Sequence, residues 1–246
     1  MSTLPKRKDA KQDSEKRRDH HEGVDLAEAL NLLRQAGYPD PTTDGIGGGQ
    51  LLQRVIDTLC ELSMQDGLTG LANARYFRIA LEREVQRAAR TGETCALLML
   101  DLDHFKTIND QQGHLAGNTV LQTVSRRLLE NLRPMDTVAR FGGEEFAVIL
   151  PNSSSADAIN VAERLRARIA GEEILITEKI ILQVTVSIGV SCTTPWSQTA
   201  PGTLVELADR NLYYAKTNGR NRVCHEVPPS AVSGDEKAAL FNKTKK

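Results

Sequence analysis

The chain has 246 residues, 40% of them hydrophobic, which is enough for one full core with appendages and too little for two large domains. Its formal net charge of -1, with an isoelectric point near 6.5, excludes a globally basic nucleic-acid-binding protein. The four cysteines lack CxxC spacing, no apolar run reaches transmembrane length, and the start is too charged for a signal peptide, so the expectation is a cytoplasmic protein with no zinc site and no membrane span.

In chain order, residues 1–23 carry Lys6-Arg7-Lys8 and Lys16-Arg17-Arg18 and read as a solvated, disordered basic tail. Residues 24–49 hold a short helix, capped by Asp25 and carrying Leu26, Leu30 and Leu33, then a linker in which Pro39, Pro41, Gly45 and Gly47-Gly48-Gly49 break helical structure. Over 50–65, Leu52, Val55-Ile56, Leu59 and Leu62 recur at helical spacing; this stripe is either a dimerising coil or a helix packed on its own domain.

The main domain is expected over 66–227, followed by a tail at 228–246. It opens with a helix over 74–89, then a buried strand Ala96-Leu97-Leu98-Met99-Leu100 and a helix holding Val120, Val124 and Leu128. A hairpin around 140–150 precedes a helix with Ala158, Val161-Ala162, Leu165 and Ile169. A strand over 174–181, an alternating strand over Val184–Val190 and a last helix with Leu204, Leu207-Ala208, Leu212 and Ala215 complete the pattern. Helices mixed with an antiparallel hairpin predict an α+β fold, a central mostly antiparallel sheet flanked by helices.

Two places in this pattern present acid. The strand over 96–100 runs into Asp101-Leu102-Asp103, where a period of two puts both carboxylates on one face and leaves the Leu102 carbonyl as an oxygen donor. Acids after a strand equally cap helices or face water. The second place is Arg140-Phe141-Gly142-Gly143-Glu144-Glu145-Phe146, where Gly142-Gly143 suits the positive φ of a two-residue turn and puts Glu144 and Glu145 at its tip. Adjacent carboxylates repel each other, which favours a hard cation such as Mg²⁺ between them.

These segments, with Asn109-Asp110, Gly113-His114 and Gly117-Asn118, resemble the GGDEF-domain diguanylate cyclases in their GGEEF form. The resemblance spans about residues 66 to 225, from Asp66-Gly-Leu-Thr69-Gly70-Leu71 to Ala215-Lys216-Thr-Asn-Gly219-Arg220-Asn221. It implies a sheet like that of nucleotide cyclases and polymerase palms, and condensation of two GTP to cyclic di-GMP with release of pyrophosphate. It also implies two Mg²⁺ or Mn²⁺ per active site, held by Asp101, the Leu102 carbonyl, Glu144 and Glu145, with Glu144 the general base as well. By the same resemblance Lys106, Lys216 and Arg220 meet the triphosphate, Arg140 assists charge stabilisation, Gly142 and Gly143 line the substrate, and Asn109, His114 and Asn118 contact the nucleotide.

Position 118 departs from the family pattern. The usual residue there is Asp, which accepts from both guanine donors, whereas the amide of Asn118 accepts on one side only. Mixed use of ATP therefore stays open beside GTP, as does a catalytically silent module that only binds GTP or cyclic di-GMP. Arg133-Pro-Met-Asp136 matches the family's RxxD site for inhibition by the cyclic di-GMP product, with Arg164 as its auxiliary residue. Arg and Asp at this spacing also make ordinary surface pairs. A two-fold symmetric product built from one GTP per domain requires a homodimer, for which Leu52, Ile56 and Leu59 are the expected contacts.

Overall fold

The computed structural model describes residues 26–35, 48–196 and 198–226. The expected basic tail, the Asp25 cap, the proline-containing linker and the C-terminal tail lie outside these residues. The chain divides into two units, Met1–Ser63 and Met64–Lys246. In the first, α1 (Ala27–Gln35) buries Leu33 and α2 (Gly48–Met64) buries Val55, both 1% exposed. Helix α2 begins two residues earlier than expected, since Gly48 and Gly49 occupy a first turn whose N–H groups lack intrahelical acceptors in any case.

The second unit contains β1 (Ala72–Asn73), α3 (Ala74–Thr91), β2 (Cys95–Leu102), α4 (Phe105–Gln112) and α5 (His114–Glu130). There follow β3 (Thr137–Arg140), β4 (Glu145–Pro151), α6 (Ser155–Gly171), β5 (Ile174–Thr177), β6 (Ile180–Leu182), β7 (Val186–Cys192), α7 (Pro201–Thr217) and β8 (Val223–Cys224). The main sheet has the order β1-β3-β4-β2-β7-β8. Its inner pairs β3-β4, β4-β2 and β2-β7 are antiparallel and its short outer pairs β1-β3 and β7-β8 parallel, so the sheet is mostly antiparallel, as expected of an α+β fold.

Strand β2 is buried along its whole length, which explains its unbroken apolar sequence. Its even positions Ala96, Leu98, Leu100 and Leu102 share a core with Val120, Val124 and Leu128 of α5 and Ala158, Ala162 and Leu165 of α6. Its odd positions Cys95, Leu97 and Met99 pack with Phe77, Leu81 and Val85 of α3 and Leu204, Ala208 and Leu212 of α7. Helix starts follow local chemistry. The Asn73 side chain caps α3 by accepting from the Arg75 and Tyr76 N–H groups, and Ser154 with Asp157 forms a reciprocal capping box on α6.

Gly189 sets the position of α7. A Cβ there would lie 2.1 Å from the Ala208 carbonyl oxygen and 2.2 Å from the Leu212 nitrogen, so only glycine lets the helix backbone rest on β7. The alternating strand expected over 184–190 runs instead over 186–192, and its polar members Ser187 and Ser191 are buried and hydrogen-bonded rather than facing water. The strand expected over 174–181 is a separate small hairpin, β5-β6, turning at Glu178-Lys179 with a register shift between Leu175 and Thr177.

Candidate active site

The two acidic segments meet at one end of the sheet. Pairing of β2 with β4 places Asp101 directly across from Glu145, and the Leu102 N–H donates to the Glu144 carbonyl at 3.3 Å. Cross-strand partners share a face, so the hairpin acids stand beside the end of β2 because of register, not because of any local motif.

The turn that carries them differs from the sequence expectation. Neither Gly142 nor Gly143 has a positive φ, and the connection is the four residues Phe141 to Glu144, closed by N–H bonds from Phe141 (2.8 Å) and Gly142 (3.2 Å) to the Glu145 carbonyl. Glycine at 142 serves space instead: a Cβ there would fall 2.4 Å from Glu145 Oε2. Nothing lies within 4 Å of a Cβ placed at Gly143, which leaves that position open to a ligand. Glu145 starts the strand and Glu144 alone of the two acids belongs to the turn.

Asp101 is 6% exposed, and its Oδ2 pairs with Lys216 Nζ at 2.5 Å. Its carboxyl is raised to about 6, chiefly by burial and further by the charges of Glu144 and Glu145, with the Lys216 ammonium acting against that rise. Lys216 arrives from the last turn of α7, the helix seated by Gly189. Asp103 is also buried but makes no ion pair among the described residues. Its carboxylate accepts from the Thr185 and Ser187 hydroxyls, each at 2.7 Å, and from the Asn221 N–H at 3.0 Å.

Arg140 is fully engaged. Its guanidinium donates to both Asp66 oxygens at 3.1 and 3.2 Å and to the Gly143 carbonyl at 3.1 and 2.8 Å, tying the acidic turn to the start of the domain. Burial opposes the Asp66 charge, but hydrogen bonds from Thr69 and from Arg140 outweigh it and hold that carboxyl below the usual range. Asp66 carried no role at the sequence level; the signal was the Asp-x-x-Thr turn, whose Thr69 N–H and hydroxyl both donate to Asp66 Oδ1.

Lys106 is exposed in the first turn of α4, and His114 and Asn118 are exposed on α5. Asn109 leans on Gly117, where a Cβ would come within 1.9 Å of Asn109 Oδ1, which seats α4 against α5 one residue before Asn118. Gly117 is thus a second residue whose part only the structure reveals. Arg220 is exposed in the turn after α7 with φ 56, its N–H donating to the Ala215 carbonyl at 3.0 Å.

Before β3, Asp136 Oδ2 accepts from the Arg133 N–H at 2.8 Å, and the Asp136 N–H returns to the Arg133 carbonyl at 3.0 Å. Burial raises the Asp136 carboxyl while the Arg133 N–H and the charges of Arg133 and Arg164 act against that rise, so the three residues form one cluster. Arg164 reaches it from α6, donating to the Asn131 carbonyl at 2.8 Å.

Among the described residues no group of three His, Cys, Asp or Glu side chains is arranged to hold a metal ion alone. The donors that do converge are all oxygens, on a buried and electrostatically crowded carboxylate, which fits a hard cation completed by substrate phosphates and water and does not fit zinc. A model of the family described as the diguanylate cyclase GGDEF domain matches residues 63–222. The chain belongs to the GGDEF domain family.

Response regulator PleD of Caulobacter vibrioides is 42% identical over 173 residues, covering 70% of this chain and 38% of that protein. Diguanylate cyclase A of Treponema denticola is 42% identical over 168 residues, covering 67% and 45%. The chain thus spans less than half the length of these relatives. Among solved structures, the GGDEF domain of DgcB from Caulobacter crescentus, in complex with c-di-GMP, is similar with a TM-score of 0.63 at 34% identity, over 66% of this chain and 93% of that one. The matched span contains every GGDEF site residue named above; α1 and all but the last two residues of α2 lie outside it. No helix among the described residues is long and apolar enough to cross a membrane.

Proposed function

We propose that this chain is a diguanylate cyclase, joining two GTP molecules into cyclic di-GMP and releasing two pyrophosphates. The observation that carries this reading is the convergence of Asp101, Glu144 and Glu145 at one end of the sheet, with Lys216 against Asp101. A module that only bound nucleotide would have no need for a buried carboxylate crowded by two others and paired with a lysine.

In this reading Asp101, Glu144, Glu145 and the Leu102 carbonyl hold the two divalent cations, Mg²⁺ or Mn²⁺. When bound, these would acidify the ribose 3′-hydroxyl and offset charge on the leaving pyrophosphate. Glu144, whose side chain makes no hydrogen bond or ion pair among the described residues, takes the 3′-hydroxyl proton. Lys106, Lys216 and Arg220 bind the triphosphate and keep the α-phosphate in line with the attacking oxygen. Arg140 fixes the turn over Gly142 and Gly143, so its part is to position Glu144 rather than to touch phosphate. Asn109, His114 and Asn118 receive the base.

One active site holds one GTP, so the product's two-fold symmetry calls for two domains face to face. In the first unit Ile56 is 44% exposed and Leu52 and Leu59 are half-buried, which supports a role for α2 in pairing the chains. Arg133, Asp136 and Arg164 form the product-inhibition site. Asn118 favours a second reading, a cyclase that also accepts ATP. Incubation with Mg²⁺, GTP and ATP, with products resolved by mass, separates the cases: cyclic di-GMP alone supports the main reading, an AMP-containing dinucleotide the second, and intact bound GTP a silent module.

A further inference from the structure

Asp103 stands two residues beyond Asp101, at the spacing that makes both look like metal ligands, yet its surroundings assign it a different task. It is 5% exposed, and both carboxylate oxygens are occupied by neutral donors. Oδ1 accepts from the Ser187 hydroxyl at 2.7 Å, and Oδ2 accepts from the Thr185 hydroxyl at 2.7 Å and the Asn221 N–H at 3.0 Å. Its own N–H donates to the Thr185 carbonyl at 2.9 Å. A cation entering here would displace hydroxyl donors from both oxygens of a buried group.

The Asn221 contact reaches a turn with an uncommon backbone. Gly219, Arg220 and Asn221 follow one another with φ values of 107, 56 and 45, a left-handed run that Gly and Asn tolerate and that an Arg seldom adopts. A backbone held this way persists only where its surroundings over-determine it. Here the Arg220 N–H bonds to the Ala215 carbonyl at 3.0 Å, the Ile188 N–H to the Arg222 carbonyl at 2.9 Å, and Arg166 Nη1 to Asn221 Oδ1 at 2.9 Å. Among the described residues Asp103 supplies the bond from the strand end that bears Asp101, its side chain accepting from an N–H of the turn itself.

We propose that Asp103 is a positioning residue that clasps the phosphate-binding turn, residues 219–221, to the metal-binding end of β2. Two carboxylates on adjacent like-facing positions then grip one segment at two points: Asp101 at Lys216 and Asp103 at Asn221. The clasp fixes the separation between the cation ligands and the triphosphate-binding Lys216 and Arg220. This assignment rests on the cyclase reading above for what the turn binds, but not for the clasp itself.

The full-length chain, Asp103→Ala and Asp103→Asn are compared by amide hydrogen exchange across 218–222, by KM and kcat for GTP, and by the Mg²⁺ concentration for half-maximal rate. Asp103→Ala is expected to speed exchange and raise KM for GTP by about tenfold, with kcat within about threefold and the Mg²⁺ requirement unmoved. Asp103→Asn keeps an oxygen for Asn221 and Thr185 and can donate to the Ser187 hydroxyl, so it should stay within about threefold of the parent in every reading. Should Asp103→Ala fold poorly, Asp103→Glu, which keeps the carboxylate but moves it off the Asn221 N–H, takes its place and is expected to speed exchange and raise KM in the same direction. An Asn variant as damaged as Ala, with a raised Mg²⁺ requirement, overturns the proposal in favour of metal ligation. A lowered melting temperature with exchange and KM unmoved overturns it in favour of a merely structural acid. A wild-type chain that forms no cyclic dinucleotide sinks the cyclase reading, and the clasp is then judged on hydrogen exchange alone.

Discussion

Lys216 Nζ lies 2.5 Å from Asp101 Oδ2, joining the last turn of α7 to the end of a strand that is buried along its whole length. The contact brings together a cation assigned to phosphate and a carboxylate assigned to metal. Replacing Lys216 by Met keeps the stem that packs along the helix but removes the charge. The expected result is a fall of at least about tenfold in kcat/KM for GTP, with Lys216→Arg less impaired because charge is retained. Equal loss in both variants would mean that shape, not charge, matters at this position.

The Arg140–Asp66 tie gives a prediction in pH. Asp66 is held below its unfolded value of 3.8, so its stabilising share is fully present above that value and is lost as pH falls through the folded one. Asp66→Asn should therefore lower the melting temperature at pH 7 by about 3 °C, with the gap to wild type closing below pH 4. Thermal unfolding between pH 7 and pH 3 reads this directly. A gap that widens on acidification would contradict the assignment.

Much of this site was legible in the sequence, and the limits are instructive. The run Ala96 to Leu100 announced a strand buried on both faces, and the acids after it marked the end at which the acidic turn lies. What could not be read was the register that sets Asp101 across from Glu145, because it joins segments far apart in the chain. Arg140 and Asp66, separated by 74 positions, are invisible as a pair for the same reason. Gly142-Gly143 misled in a different way. Glycine permits a positive φ without requiring one, and here it makes room for the Glu145 side chain. The β5-β6 hairpin was missed because its turn at Glu178-Lys179 contains neither glycine nor proline.

Asn118 is exposed at the seam where Asn109 rests on Gly117, which suits a base-reading role. Asn118→Asp supplies a second acceptor for the guanine donors. It should increase the preference for GTP over ATP, measured as the ratio of kcat/KM values, by about tenfold or more. An unchanged ratio would remove position 118 from base recognition.

Arg133 and Asp136 already hold each other through backbone bonds, with Arg164 nearby. Arg133→Ala leaves that backbone turn in place and removes only the guanidinium. Inhibition by added cyclic di-GMP should weaken by at least about tenfold while turnover without added product stays within about twofold. Retained inhibition would place the regulatory site elsewhere.

The proposed chemistry turns on Glu144, and pyrophosphate release by Glu144→Ala, measured on samples whose GTP binding is determined in parallel, tests it most directly. The account predicts GTP binding within roughly tenfold of wild type and pyrophosphate release slowed by at least about a hundredfold. Release at the wild-type rate from a chain lacking that carboxylate would contradict it.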